Sequence, residues 1–147
     1  MIPDCGLSTD VIAGFCGETE QDHKDTLSLM EEVVFDSAFM FAYSERSGTL
    51  ASRKYPDDIP YELKTQRLNA IISLQGRMSL KRNEKEIGKI LKVLVEGPSK
   101  KNPQELCGRA SNNKMCVFPS RGEKAGDYCE VKVASVTSAT LICARLD

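Results

Sequence analysis

Residues 87–146 contain five short runs of β-branched and apolar residues, and this spacing restricts the possible folds more than any other feature of the sequence. Residues that favour turns separate the runs. In the fourth run, Cys129, Val131 and Val133 alternate with Tyr128, Glu130 and Lys132, which predicts a strand with one buried and one wet face. Closure into a small β-barrel is favoured, because it removes the exposed edges of so short a sheet. The runs are IGKILKVLVEG, ELCGRA, KMCVFP, DYCEVKVASV and SATLICARL.

The first part of the chain predicts a different class of structure. Residues 8–15, STDVIAGF, are an apolar run closed by glycine, as expected for a strand buried on both faces of a parallel sheet. Thr19 is a suitable N-cap for a following helix. Residues 35–43, FDSAFMFAY, predict another buried strand. The order strand, helix, strand implies a right-handed parallel crossover.

A turn-rich segment, 44–59, predicts a surface loop, and Pro60 then opens a second helix that ends near Asn83. Its apolar stripe is predicted to comprise Leu68, Ile71, Ile72 and Met78. Basic residues are predicted to lie off that stripe: Lys64, Arg67, Arg77, Lys81 and Arg82. The change in composition after this helix predicts two domains, 1–83 and 84–147.

Charge is unevenly distributed between the two parts. Residues 1–82 carry 9 Lys and Arg against 13 Asp and Glu, whereas residues 83–147 carry 11 against 8. This excess is a mild indication of a polyanionic partner for the second part. No apolar run approaches the roughly 20 residues that span a bilayer. The beginning of the chain also lacks signal-peptide character, so we expect a cytoplasmic protein without a membrane partner.

The six cysteines have no close spacing typical of a zinc site, a redox pair or a cluster loop. We expect them to be reduced and mostly buried as small hydrophobic residues. They are Cys5, Cys16, Cys107, Cys116, Cys129 and Cys143.

Several stretches together resemble one protein family. IPDCGLSTDVIAGFCGETEQDHKDTLSLMEEVVFDSAFMFAYSERSGT resembles the late part of the radical S-adenosylmethionine core of MiaB-like tRNA methylthiotransferases. VLVEGPSKKNPQELCGRASNNKMCVFP, GDYCEVKV and SATL resemble the TRAM domain of that family. The implied fold is α/β plus all-β: a carboxyl-terminal remnant of a partial TIM-like barrel, followed by an OB-like five-stranded β-barrel.

The resemblance implies an enzyme that adds a methylthio group to a modified adenosine beside the tRNA anticodon. The family uses S-adenosylmethionine and two four-iron, four-sulfur clusters, one held by a CxxxCxxC loop. This sequence contains neither cluster-binding cysteine set. We therefore expect a carboxyl-terminal portion of the enzyme that binds no cofactor alone, is not catalytic alone, and has tRNA and the amino-terminal part of the same enzyme as partners.

The resemblance also implies candidate site residues. Ser8 and Asp10, in the STD motif, are candidates for the cofactor's ribose, since a carboxylate accepts hydrogen bonds from both hydroxyls. The alternative is that they only terminate or cap backbone structure. Gly14, Gly17 and Glu18 belong to a turn resembling GFPGETE, with Cys16 in place of the proline, and allow close backbone approach to a ligand.

In the barrel, loops between strands place cations, amides and an aromatic where they could contact RNA. The candidates are Lys100, Lys101, Arg109, Asn113, Lys114, Phe118 and Arg121, with Asn112 and Lys124 nearby. The alternative is a solvated basic loop set with Phe118 in the core. Two other functions also remain open: a self-standing TRAM-type RNA-binding module, and an inert structural fragment.

Overall fold

The computed structural model describes residues 5–146. The chain divides into two compact units, each with its own hydrophobic core: one runs from Leu7 to Met78 and the other begins at Ser79 and includes Cys5 and Gly6. The division falls within one helix, and the predicted boundary after residue 83 lies further along that helix. The elements are β1 (Ser8–Ala13), α1 (Glu20–Val33), β2 (Ser37–Ala42), α2 (Leu50–Lys54), α3 (Tyr61–Glu84), β3 (Ile90–Pro98), β4 (Glu105–Ala110), β5 (Met115–Pro119), β6 (Tyr128–Val136) and β7 (Leu141–Arg145).

The first unit contains the predicted parallel crossover. β1 and β2 pair in parallel from Ser8 opposite Ser37 to Ala13 opposite Ala42. α1 begins with a capping box, in which Thr19 and Asp22 satisfy each other's backbone N–H groups. This local signal explains why the start of α1 is predictable from sequence.

Among residues 5–146, helices cover only one face of this two-stranded sheet. Ala13 of β1 packs in a buried cluster with Met30 of α1 and with Ile71 and Leu74 of α3. On the opposite face Phe39 is 64% exposed. The expectation that these strands are buried on both faces is therefore wrong for the described residues. The sequence anticipates a burial that two strands and one layer of helices cannot provide.

The helix α3 differs from its predicted amphipathic pattern. Lys64 and Arg67, expected outside the apolar stripe, are each only 4% exposed, while Ile72, expected inside it, is 44% exposed. Carboxylate and carbonyl partners make the two buried cationic positions favourable. In the segment predicted as a loop, the short helix α2 forms behind the N-cap Thr49.

The second unit contains the predicted barrel, which closes in the strand order β3-β4-β5-β7-β6. All neighbouring strands are antiparallel except β5 and β7. A Cβ at Gly108 would overlap the carbonyl oxygen of Leu94, so this glycine lets β4 approach β3 closely. The five predicted strands and their closure are confirmed. The barrel core consists of Val93, Val95, Leu106, Ala110, Cys116, Phe118, Val131, Val133, Leu141 and Cys143.

None of the helices in the described part of the chain combines the length and apolar character that a bilayer-spanning segment requires.

Candidate functional site

Two glycines with positive φ build the turn that follows β1. Gly14 has φ 73° and Gly17 has φ 75°, values that glycine adopts without steric cost. A Cβ at Gly14 would also overlap the side chain of Lys64. The Gly17 N–H donates to Asp58 Oδ1 at 2.8 Å. The glycines of this motif therefore meet a backbone requirement of the turn itself.

Glu18 closes the same turn from inside. Its Oε2 accepts the Gly14 N–H at 2.8 Å, and its Oε1 accepts from Arg67 Nη1, also at 2.8 Å. The buried Arg67 donates to the Glu18 carbonyl oxygen as well, at 3.0 Å. Both carboxylate oxygens of Glu18 thus have partners inside the protein. A contribution of Gly14, Gly17 and Glu18 to cofactor binding stays a prediction, and it would act through the shape of the turn.

Lys64 is a second buried cation beside this turn. Its ammonium group forms an ion pair with Asp57, donates to the Tyr43 carbonyl oxygen at 3.4 Å, and lies 5.1 Å from the Tyr43 ring centroid. Burial raises the pKa of Tyr43 above its ordinary value, and a hydrogen bond with the Cys16 side chain acts in the same direction. The Tyr43 ring also meets Phe15 edge-on, with the centroids 5.0 Å apart.

Sequence reasoning missed Lys64 and Arg67 as organisers of this edge. Their carboxylate partners lie 7 and 49 positions away along the chain, so no local pattern identifies them. The only available signal is two cations one helical turn apart, which ordinarily indicates a solvated face.

Ser8 and Asp10 lie on the exposed face of the parallel pair, pointing away from α1 and α3. Ile12 follows them on the same face, and β2 contributes Phe39 and Phe41, which are 64% and 56% exposed. A polar serine and carboxylate therefore border an apolar surface. The structure does not bring Ser8 and Asp10 into contact with Glu18, whose carboxylate is engaged in the turn.

In the barrel, three of the predicted RNA-binding residues are cations in loops between strands. Lys100 and Lys101 are exposed in the loop between β3 and β4. Arg121 lies in the loop between β5 and β6, where its Nη1 donates to the Leu146 carbonyl oxygen at 3.0 Å. These three residues occupy two loops, and all three are exposed.

Arg109 and Asn113 form a single hydrogen-bonded unit. Arg109 donates from Nε to Glu96 Oε1 at 3.0 Å, and from Nη1 to the Asn113 carbonyl oxygen at 3.1 Å and Oδ1 at 3.2 Å. Asn113 has φ 64°, a left-handed conformation that asparagine tolerates in a tight turn. The turn between β4 and β5 is therefore held by the two residues predicted to contact RNA.

Lys114 has a structural partner. Its Nζ donates to Asn83 Oδ1 at 2.7 Å, and Asn83 Nδ2 donates to the Thr137 carbonyl oxygen at 2.8 Å. These bonds connect the last turn of α3 to the β4–β5 and β6–β7 turns. Lys114 thus positions the end of the helix on the barrel.

The prediction that Phe118 contacts RNA is contradicted by its position. It is 1% exposed and fills the barrel core, with the Arg145 guanidinium 5.6 Å from its ring centroid. Its position two residues after the buried Cys116 turns the ring inward, so it is not available to stack on a base. This agrees with the core alternative that the sequence left open.

The cysteines occupy varied environments. All six are free; Cys116 and Cys143 are buried, whereas Cys16, Cys107 and Cys129 are half-buried and Cys5 is exposed. The expectation that most are buried is therefore wrong. Within the core, a hydrogen bond with Cys143 and burial both raise the pKa of Cys116, which keeps that thiol protonated. No group of three or more His, Cys, Asp or Glu residues among residues 5–146 is arranged to hold a metal ion.

The chain is similar to known proteins along nearly its whole length. The TRAM domain family matches residues 84–142. Proteins named tRNA-2-methylthio-N(6)-dimethylallyladenosine synthase are 51% identical over 141 residues in Phocaeicola vulgatus, 54% over 145 residues in Amoebophilus asiaticus and 51% over 141 residues in Chlorobium phaeobacteroides. These alignments cover 96%, 97% and 96% of this chain. The chain is therefore similar along nearly its whole length to tRNA methylthiotransferases of this kind, and residues 84–142 match the TRAM domain.

The chain spans 30–32% of the length of those three relatives. The TRAM match begins at the last residue of α3 and extends into β7, so it coincides with the closed barrel. Among solved structures, apo RNase R of Mycoplasma genitalium is 12% identical with a TM-score of 0.36, over 58% of this chain and 17% of that one. A similarity at this level supports no inference about fold or function.

Proposed function

We propose that this chain is the carboxyl-terminal portion of a tRNA 2-methylthioadenosine synthase, in which the barrel binds tRNA and the first unit forms part of the S-adenosylmethionine-binding wall. The observation that carries the proposal is the agreement between a closed barrel, its TRAM match, and about 50% identity to such synthases over nearly the whole chain. The reaction of the longer enzyme would be methylthiolation of a modified adenosine next to the anticodon.

The RNA-binding role is assigned first to the exposed loop cations. Lys100 and Lys101 carry flexible ammonium groups that can reach phosphates from the β3–β4 loop. Arg121 would act from the β5–β6 loop. Arg109, Asn113 and Lys114 are proposed to shape the surface, because their side chains already have partners in the protein.

The cofactor role is assigned to the exposed face of β1 and β2. In a (β/α) barrel, strands bury one face against helices and the other against side chains in the barrel interior. The apolar Ile12, Phe39 and Phe41 fit an interior face, and the carboxylate of Asp10 beside them suits a ribose hydroxyl. We propose that the remainder of a radical S-adenosylmethionine barrel covers this face in the longer enzyme.

Ser8 and Asp10 therefore fit a contact with S-adenosylmethionine, while Gly14, Gly17 and Glu18 fit a supporting role in the adjacent turn. The bound cofactor would supply the radical that starts the reaction, and the family's iron–sulfur clusters would be held by cysteines outside this sequence. The residues of this chain would orient the ribose and exclude water from it. The alternative, a self-standing TRAM-type RNA-binding module, is favoured by the closure of the barrel alone.

A salt-dependent titration of the chain with tRNA tests the RNA-binding proposal. Affinity should fall steeply as ionic strength rises, because each phosphate contact releases counterions. Absence of binding even in low salt would refute both the proposed function and the alternative RNA-binding module.

The double variant Lys100→Ala/Lys101→Ala should bind tRNA more weakly and reduce the steepness of log K against log salt by about 1.5, since each lost contact contributes roughly 0.7–0.9. Arg53→Ala/Lys54→Ala, which removes two exposed cations from α2, is the matched control and should leave the slope unchanged. An unaltered slope in the Lys100/Lys101 variant would place the phosphate contacts elsewhere.

Iron and sulfide analysis after anaerobic reconstitution tests the expectation that this chain holds no cluster alone. We expect no stoichiometric iron. A four-iron cluster bound at one equivalent would contradict this expectation and would call for a search for its ligands among the six cysteines.

A further inference from the structure

The outer face of β3 and β6 carries an exposed aromatic ring that the predicted RNA-binding set did not include. Tyr128 is 62% exposed at the start of β6 and lies opposite Leu94 of β3, which is 37% exposed. Lys92 Nζ is 4.7 Å from the centroid of the Tyr128 ring. The result is a flat aromatic surface bordered by an aliphatic side chain and an ammonium group.

Two cation-bearing loops leave the barrel from the same end of this strand pair. Beyond the Leu94–Tyr128 pair, the Val95 N–H donates to the Asp127 carbonyl oxygen and the Gly126 N–H to the Val95 carbonyl oxygen, both at 2.9 Å. The chain therefore runs directly from Tyr128 back into the β5–β6 loop, which carries Arg121 and Lys124. The β3–β4 loop, with Lys100 and Lys101, continues from the same end of β3.

This arrangement suits an unpaired nucleotide. A base can stack on an exposed tyrosine without sequence preference, while nearby ammonium groups contact the phosphates on either side. Lys92 holds the ring by a cation–π contact, because an ammonium group within about 6 Å of a centroid is attracted to it. Glu130, the acidic residue of β6 on this face, is opposite Lys92 and lies away from the loops.

We propose that Tyr128, supported by Leu94 and Lys92, stacks an unpaired base of the bound RNA, with the cations of the two loops contacting its backbone. The proposal rests on the RNA-binding function proposed for the barrel and identifies the bound element as single-stranded, such as a hairpin loop. Bases inside a duplex are already stacked and would not reach the ring.

The first test is a fluorescence-anisotropy titration of the full chain with a labelled anticodon stem–loop and with a fully paired RNA duplex. Tyr128→Ala should weaken stem–loop binding about tenfold and leave duplex binding unchanged. Tyr128→Phe retains the ring and should bind within about twofold of the unmodified chain. Tyr61→Ala, which removes another exposed tyrosine from α3, is the matched control and should bind normally.

Salt dependence separates stacking from charge in the same titration. Tyr128→Ala should lower affinity at every salt concentration without changing the slope, because no phosphate contact is lost. If Tyr128→Ala binds the stem–loop normally while Lys100→Ala/Lys101→Ala does not, the stacking site is refuted and the proposed RNA-binding function stands. If the unmodified chain does not bind RNA, both are refuted.

The sequence contains no tryptophan, so a tryptophan placed at the proposed stacking position would give a direct fluorescence signal. Tyr128→Trp introduces a single indole at the proposed stacking position, and its emission should be quenched when the stem–loop saturates the chain. Tyr61→Trp provides a reference whose emission should not change. Unchanged emission from Tyr128→Trp under saturating RNA would overturn the proposal.

Discussion

The barrel and the α/β unit differ in how completely the edges and faces of their strands are covered. In the barrel, every described strand has two neighbours and the inward residues form one buried cluster. In the α/β unit, the two described strands have helices on one face and leave Phe39 and Phe41 exposed on the other. The barrel therefore satisfies its own packing requirements, whereas the α/β unit presents a surface suited to further protein.

The largest expected difference between the units comes from truncating one phenylalanine in each. Phe118→Ala should destabilise the barrel by about 3–5 kcal/mol, because it empties a fully buried position in a small core. Phe39→Ala removes an equally large ring from an exposed position and is the matched control. Chemical denaturation would measure the stability lost by each variant, and hydrogen exchange would assign that loss to the barrel amides or to the amides of residues 7–78. Equal losses in the two variants would mean that the barrel core is not the main source of the barrel's stability.

A second prediction concerns the buried ion pair of the α/β unit. Arg67→Met should destabilise this unit by about 2–3 kcal/mol, because the Glu18 carboxylate would lose its cation while remaining 13% exposed. Hydrogen exchange of amides in residues 7–78 should report the loss, with barrel amides as the internal reference. Arg77→Met, an exposed arginine on the same helix, is the control.

The ion pair also distinguishes what sequence can and cannot predict. Thr19 and Asp22 cap α1 through contacts three residues apart, and the alternation of Cys129, Val131 and Val133 defines a strand face, so both were predictable. Arg67 and Glu18 come into contact only after the chain has folded. From their charges alone, both side chains would be predicted to be exposed to solvent. Local periodicity therefore identified the elements but not the polar contacts that connect them.

The candidate site shows the same limit. Lys114 and Phe118 have the residue types expected at an RNA interface, yet one bonds to Asn83 and the other fills the core. The strand parity of Phe118 with Cys116 was an available signal for the inward direction. The alternating pattern of β6 places Tyr128 on the exposed face. A binding role can be inferred for it only from the structure, in which β3 places Lys92 beside the ring.

A third prediction concerns the pH dependence of the barrel's stability. A backbone hydrogen bond from Arg121 lowers the pKa of Glu123 in the barrel below its ordinary value of 4.5, and the Arg145 guanidinium acts in the same direction. Because the folded-state pKa is depressed, this carboxylate stabilises the barrel above the unfolded-state value and loses that effect as pH falls through the folded-state value.

Glu123→Gln should therefore reduce barrel stability by about 1–2 kcal/mol near neutral pH and by progressively less as pH falls below the ordinary carboxyl pKa of 4.5. Denaturation midpoints measured across that range would check the convergence of the two proteins. Glu105→Gln, at the half-buried start of β4, serves as the comparison. A constant difference at all pH values would show that Glu123 acts through packing rather than charge.

The smallest expected effect tests the exposed face itself. Phe39→Ser/Phe41→Ser should change the stability of this chain by no more than about 0.5 kcal/mol, because both rings are largely in water already. The variant should also bind less of a hydrophobic dye such as ANS. If the face is covered in the longer enzyme, as proposed, the same two substitutions made there should be strongly destabilising. A small effect in both settings would mean that the face stays in water and that no barrel closes over it.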